Sequence, residues 1–389
     1  MPRYRLLGSV KKLEALSAWV LNVVQIVIYS GNRIRSIAAG LVLLLMLTGP
    51  GVRALAAAGE ETGAHRTTVL VYLCGGDLER FFGAATDDIR EMAASGFDSR
   101  YTNLLIMTGD MQGRKDSPAA GKTAVIELGA HGMRTLWHSE ETLNMADGQT
   151  LKAFLDYGHA RAPAERYALI LWGHGGGAEE GLFFDGQPGG DSLTLQEIRT
   201  ALSESFPAKE KLSWIGFDAC LMATLETARA AADYADVLIA SQAREESSGW
   251  NYSFLRGLER DADGEETGRR IVDAYFADGA EKEEIRTLSC IRLDRIDRVR
   301  AEADRYFSAV IPPVTDEGFA AFREACRQVC SFGLTEDAEP ELVDLVSLSE
   351  AWEPVPGCGE ALRASVREAV ACSRANREGA NGLSVIWHE

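Results

Sequence analysis

From Thr67 onward, short apolar runs alternate with longer stretches whose apolar residues recur every three or four positions. The runs Thr67–Leu73, Thr102–Met107, Ala168–Trp172, Leu212–Phe217, Val237–Ala240 and Thr287–Leu293 have the length and the Val, Ile and Leu content of buried parallel strands. Between them, Leu78–Ser95, Thr150–His159, Thr194–Glu204, Cys220–Tyr234 and Gly268–Phe276 carry helical spacing. Thr123–Leu128 and Met133–Trp137 read as a hairpin or an excursion. Asp77 is placed to cap the first helix, and Thr194-Leu195-Gln196-Glu197 is a capping box for the third. This alternation predicts an α/β fold: a mostly parallel six-stranded sheet, joined by right-handed crossovers and covered by helices on both faces. From Asp294 the pattern turns helical, over Asp294–Ile311, Gly318–Cys330, Pro340–Trp352 and Gly359–Ser373, with a short final strand at Gly382–Trp387.

Two of the strand ends carry chemistry. Leu212–Phe217 runs into Asp218-Ala219-Cys220, so the expected place of Cys220 is where a strand hands over to a helix. That is the edge of an open α/β sheet where ligands bind. A helix N-terminus there would also favour thiolate. Ala168–Trp172 runs into Gly173-His174-Gly175-Gly176-Gly177. Two parallel strands ending in His and Cys bring an imidazole and a thiol to one rim, where the His can serve the Cys as general base and acid. The glycines let backbone N–H groups approach a bound group, and the amides of Gly175 and Cys220 could form an oxyanion hole.

Plainer readings exist for each piece. A lone Cys after a strand is commonly a small buried hydrophobe. His-Gly-Gly-Gly also occurs as the oxyanion loop of lipases and esterases, but the G-x-S-x-G elbow this requires is absent from the chain. Gly190-Asp191-Ser192-Leu193 resembles a serine-esterase motif, yet it lies in a polar loop and no Asp-x-x-His follows. His131 and His138 lack metal-ligand spacing and read as surface residues. Cys74 has no partner His in motif form and reads as structural.

Taken together, WGHGGG followed by FDACLMAT resembles the clostripain family of cysteine peptidases, in the caspase-like clan. The stretches Thr68–Glu79, Leu143–Gly158 and Ile239–Tyr252 extend the likeness from about Thr67 to Leu293. The resemblance implies a caspase-like three-layer sandwich and an endopeptidase whose catalytic dyad is His174 and Cys220. It implies that Asp218 lines the S1 pocket and selects Arg or Lys at P1, a role that suits a carboxylate facing a guanidinium. The alternative for Asp218 is a cap on the following helix. Glu245 and Glu246 are the choices for a second acid near S1, Glu246 preferred.

The chain also departs from the family pattern. Members commonly carry an acid just before the catalytic His, where this chain has Gly173. Several mature by cutting after a basic residue in the loop between His and Cys, but Ala178–Glu197 contains no Lys or Arg. Some depend on calcium. The sequence requires no cofactor and contains no EF-hand loop, so calcium is left open by the resemblance alone. A decayed caspase-like scaffold kept for binding, and a serine esterase using Ser192, are the alternatives to a peptidase.

Composition narrows the partners. Of the 389 residues 46% are hydrophobic and 25% charged, as in an ordinary globular protein. Residues 1–56 hold seven Lys or Arg and one Glu, leaving 33 basic against 57 acidic residues in the remainder, a net charge of −24. That argues against nucleic acid and is compatible with basic peptide substrates. Seven cysteines without zinc-like spacing leave at least one thiol free. The basic N-terminus, the apolar run Ile37–Leu47 and Ala54-Leu55-Ala56 predict an export signal cleaved near Ala56, with an uncleaved anchor as the alternative and the sole membrane attachment. The expected organisation is therefore a signal or anchor segment over 1–56, a linker over 57–66, a peptidase domain over 67–293 and a C-terminal region over 294–389. The protein is expected to be secreted or held at the cell surface, as a monomer.

Overall fold

A computed structural model describes residues 65–386 apart from 113–118, 120, 185–189, 207–209, 259–262, 278–283, 311–315, 334–341 and 354. The expected export segment over 1–56 and nearly all of the linker lie outside the described residues. Residues 61–389 form one unit.

In chain order, β1 (His65–Cys74) leads through a π-helical turn, Leu78–Phe82, into α1 (Ala84–Ala94). Then come β2 (Thr102–Gly109), β3 (Ala124–Gly129), β4 (Gly132–His138), α2 (Gly148–Arg161) and β5 (Ala164–Trp172). The short α3 (Gly177–Glu180), α4 (Leu195–Ser205), β6 (Trp214–Asp218), α5 (Leu225–Ala231) and β7 (Val237–Ala240) follow. Next are α6 (Gly264–Tyr275), β8 (Thr287–Arg292), α7 (Ile296–Val310), α8 (Asp316–Gln328), β9 (Ser331–Phe332) and β10 (Leu342–Asp344). The last elements are α9 (Leu345–Ala351), α10 (Glu360–Ala369), β11 (Val370–Ala375) and β12 (Ser384–Ile386).

The central sheet has the order β11-β8-β7-β6-β5-β1-β2-β3-β4. Its middle, β7-β6-β5-β1-β2, is parallel, as the unbroken apolar runs require of strands buried on both faces. The hairpin β3–β4 extends one side, and β8 with β11 extends the other, all antiparallel. The sheet is thus mixed and nine-stranded around the expected parallel core. Alternate residues of each strand feed opposite faces. Leu70, Tyr72, Leu169 and Leu171 pack with α2, α4 and α7 on one face, while Val69, Val71, Ala168 and Ile170 pack with α1 and α6 on the other.

Several local expectations are corrected. The helix expected at Leu78–Ser95 is broken at Gly83, whose left-handed backbone ends the π turn, and Asp77 makes no side-chain cap. The helix expected from Cys220 begins only at Leu225, after its N-cap Thr224. Leu221 sits at φ 66°, and the N–H groups of Leu221 and Ala223 donate to Ala243 and Ser241 carbonyls. Tertiary bonding there overrides helical propensity, so Cys220 lies in a turn before the helix. The stretch Gly359–Ser373 is helical only to Ala369 before it becomes β11, and Pro340–Trp352 opens with strand β10. The capping box of Thr194 and Glu197 forms as expected.

Candidate active site

The carboxyl ends of β1, β5, β6 and β7 converge on one cleft of about 1210 Å³. Register brings the ends of β5 and β6 level, with Trp172 opposite Asp218, and the N–H of Gly173 donates to the Asp218 carbonyl. His174 and Cys220 therefore leave adjacent strands at the same height, and both line the cleft. Gly175 packs directly on the nucleophile turn: a Cβ there would lie 2.3 Å from the Cys220 carbonyl oxygen and 3.0 Å from its nitrogen. The amides of Gly175 and Cys220 are thus neighbours, and only glycine permits that approach.

His174 stacks on Phe184 at 5.7 Å, and its Nε2 lies 2.6 Å from Oδ1 of Asp77, which follows β1. A carboxylate on Nε2 fixes the proton there and leaves Nδ1 as the basic nitrogen. The acid absent before the His is supplied from another strand. Position 173 has no room for one: its φ is +147°, and a Cβ would meet the Phe183 ring at 2.8 Å and the Cys74 carbonyl at 3.0 Å.

The Cys220 sulfur accepts the Glu245 N–H at 3.2 Å and its S–H faces the Glu245 carbonyl at 3.8 Å. Burial pushes the thiol up, while the Glu245 N–H and the Arg244 guanidinium pull it down. The net direction is upward, toward the thiol, against the dipole-stabilised thiolate expected from a helix N-terminus.

Asp218 is buried, 4% exposed, at the cleft floor. It caps no helix: its carboxylate accepts from the Trp250 N–H at 3.2 Å and from the Tyr252 hydroxyl at 2.7 Å. Burial raises its pKa to about 6 against those hydrogen bonds. Asp88 approaches from α1, its Oδ2 accepting from Trp172 Nε1 at 2.6 Å, and Gly249 separates the two acids so closely that a Cβ would lie 3.0 Å from both. Glu245 is hydrogen bonded to Asp218, and Trp250 Nε1 donates to it at 3.3 Å. Burial first, and the Asp218 charge second, push both Asp88 and Glu245 well above the ordinary carboxylate range. Glu246 also lines the cleft, but it faces Arg286 at 3.5 Å, whose guanidinium lies over the Tyr275 and Phe276 rings.

Ser192 is not among the cleft-lining residues. No disulfide joins any of the seven cysteines, and no group of three or more His, Cys, Asp or Glu among the described residues is arranged to hold a metal ion. Among the described residues no helix is long and apolar enough to cross a membrane. Sequence reasoning missed Asp77 as a partner of His174 and the whole of Asp88. The signal for Asp77 was its place after a strand end on the same rim; Asp88 sat in an ordinary amphipathic helix with nothing to mark it.

The clostripain family model matches residues 71–366. Clostripain of Hathewaya histolytica is 28% identical over 193 residues, which take in 42% of this chain and 36% of that relative's length. Among solved structures, an inactive zymogen C11 protease from Parabacteroides distasonis superposes with a TM-score of 0.65 at 20% identity, covering 85% of this chain and 94% of the other. A secreted C11 cysteine protease from Bacteroides thetaiotaomicron, in complex with an irreversible peptide inhibitor, gives 0.62 at 17% identity over 84% and 93%. These two likenesses show the fold. With the family model spanning all four strand ends that build the cleft and both residues of the expected dyad, the chain belongs to the clostripain family of cysteine-type peptidases.

Proposed function

We propose that this protein is an endopeptidase that cleaves peptide bonds after Arg or Lys through His174 and Cys220. The observation that carries the reading is the single cleft that holds the imidazole, the thiol and the buried Asp218 carboxylate together. Nδ1 of His174, with Nε2–H held by Asp77, takes the proton from Cys220. The sulfur attacks the carbonyl carbon, and the amides of Gly175 and Cys220 hold the oxyanion. His174 returns the proton to the leaving amine, and water then attacks the acyl-enzyme by the same route in reverse. Ionised Asp218 meets the cation of the P1 side chain. Glu245, joined to Asp218, is a better second acid than Glu246, whose charge is balanced by Arg286. Residues 1–56 are read as an export segment and the remainder as the secreted part.

The test is hydrolysis of fluorogenic peptides with Arg, Lys, Leu or Asp at P1 by the wild type, Cys220→Ala and Asp218→Asn. Cleavage should require Cys220, and the preference for Arg and Lys should require Asp218. A folded protein that cuts nothing and whose Cys220 resists alkylation would refute the peptidase reading.

A further inference from the structure

The cleft carries positive as well as negative charge. Arg244, Arg327 and Arg377 are all exposed and all line it together with His174 and Cys220. They come from three places: the loop after β7, helix α8, and the turn after β11. Four acids, Asp218, Glu245, Glu246 and Glu284, line the same cleft, but Glu245 is bonded to Asp218 and Glu246 faces Arg286.

Packing fixes the arginines relative to the nucleophile. Leu221 and Ala243, which flank Cys220 and Arg244, form a small core of their own with Cys330, Phe332 and Leu342, and Ala380 packs against it. Arg327 lies three residues before Cys330, and Arg377 three before Ala380. The Arg377 guanidinium is within hydrogen-bond reach of the Cys330 sulfur. Arg244 is close enough to Cys220 to lower its thiol pKa. The C-terminal region is thus seated on the turn that holds the nucleophile, and it delivers two guanidinium groups to the substrate's path. Each guanidinium has five N–H donors in a planar fork, so a partner within the protein leaves capacity for a carboxylate.

We propose that Arg244, Arg327 and Arg377 form a subsite for a carboxylate side chain of the substrate peptide, so that cleavage favours a basic residue with an acidic residue close to it in sequence. This rests on the peptidase reading above but not on which P1 residue is chosen. An extended peptide advances about 3.3 to 3.6 Å per residue, so a cleft of this size holds several residues and places the acid within a few positions of P1.

The experiment uses the full chain and internally quenched peptides containing one Arg, with Glu or Gln placed at each of the four positions on either side of the scissile bond. A parallel set replaces Arg with Leu. At one position or more, Glu should give a roughly two- to fivefold higher kcat/KM than Gln, the upper part of the range expected for exposed ion pairs. The ratio should fall toward one at 0.5 M salt and in Arg327→Gln/Arg377→Gln. The inference is overturned if no position separates Glu from Gln by more than twofold, or if the double variant keeps the advantage. Indifference between Arg and Leu would instead count against the basic P1 reading and leave the Glu to Gln comparison intact. If no peptide is cut, anisotropy of labelled peptides on Cys220→Ala supplies the same comparison, and equal binding of Glu and Gln peptides overturns the subsite.

Discussion

Asp77→Asn isolates the contact that sequence reasoning placed elsewhere. The contact is short, 2.6 Å from carboxylate oxygen to Nε2, and charge-assisted once His174 takes the thiol proton. Its strength grows as the imidazolium forms, so its loss should fall on kcat rather than on KM. A hydrogen bond to a charged group contributes about 1.5–3 kcal/mol. The Asp77 side chain is 46% exposed, and solvent screening argues for the lower end or below. About 1–1.5 kcal/mol corresponds to a fall in kcat of roughly five- to tenfold. Asn can also turn its amide toward Nε2 and hold the wrong tautomer, so Asp77→Ala should be no worse than Asp77→Asn and could be milder. The assay is steady-state hydrolysis of an Arg-P1 peptide with active sites titrated by an irreversible thiol reagent, so that loss of rate is separated from loss of folded enzyme. Unchanged kcat in both variants, with the His174 stacking on Phe184 intact, would show that Asp77 is a bystander.

Other expectations follow from the same geometry. Gly175→Ala should fold but lose roughly a hundredfold or more in kcat, because its methyl forces the oxyanion loop off Cys220; near-normal turnover would remove the Gly175 amide from the mechanism. The preference for Arg over Leu at P1 should climb as pH rises through about 6, where Asp218 ionises, and the ratio should be flat in Asp218→Asn. Stability runs the opposite way. The folded state holds the Asp218 proton more tightly than the unfolded chain, so this contribution is complete below about pH 4 and is lost as pH rises through about 6. A rise to about 6 corresponds to about 3 kcal/mol, and denaturant melts of Asp218→Asn should show a shallower fall over that window. Phe154→Ala, fully buried on α2 against β1, should cost about 3–5 kcal/mol in a urea melt without changing P1 preference.

The parallel core was legible because strands buried on both faces must be apolar throughout, and β1, β2, β5, β6 and β7 announce themselves as such runs, as does β8, which pairs antiparallel beside them. Both chemistry-bearing turns were placed correctly at strand ends on one rim. What could not be read was pairing between segments distant in sequence. β11 follows α10 without a break, and its residues are half-exposed, so the helical pattern ran on through them. Its identity as a strand comes from the partner β8, eighty residues away in the chain. The turn at Cys220 failed for a related reason: Ala, Leu, Met and Thr after it favour a helix, but carbonyls of Ser241 and Ala243 claim the N–H groups first.

The same distinction explains the site. Residue types fixed by covalent chemistry, a thiol and an imidazole, can be found one at a time in a sequence. Charge compensation cannot, because it depends on which groups share a buried space. Glu245 and Glu246 are adjacent and chemically alike, yet one turns inward to a hydrogen bond with Asp218 and the other faces Arg286. Burial pushes Asp88, Asp218 and Glu245 up together, and the Asp218 charge adds to the push on the other two, so on the proposed reading a P1 cation arriving at the floor competes with protons. Selectivity for a basic side chain is on this argument an exchange of proton for guanidinium or ammonium. That exchange ties the pH dependence of selectivity to the pH dependence of stability through the same residues. On the proposed reading the buried position of Asp218 also has a purpose: a solvated carboxylate would attract a P1 cation weakly, whereas a buried one would discriminate more strongly between a charged and an apolar P1.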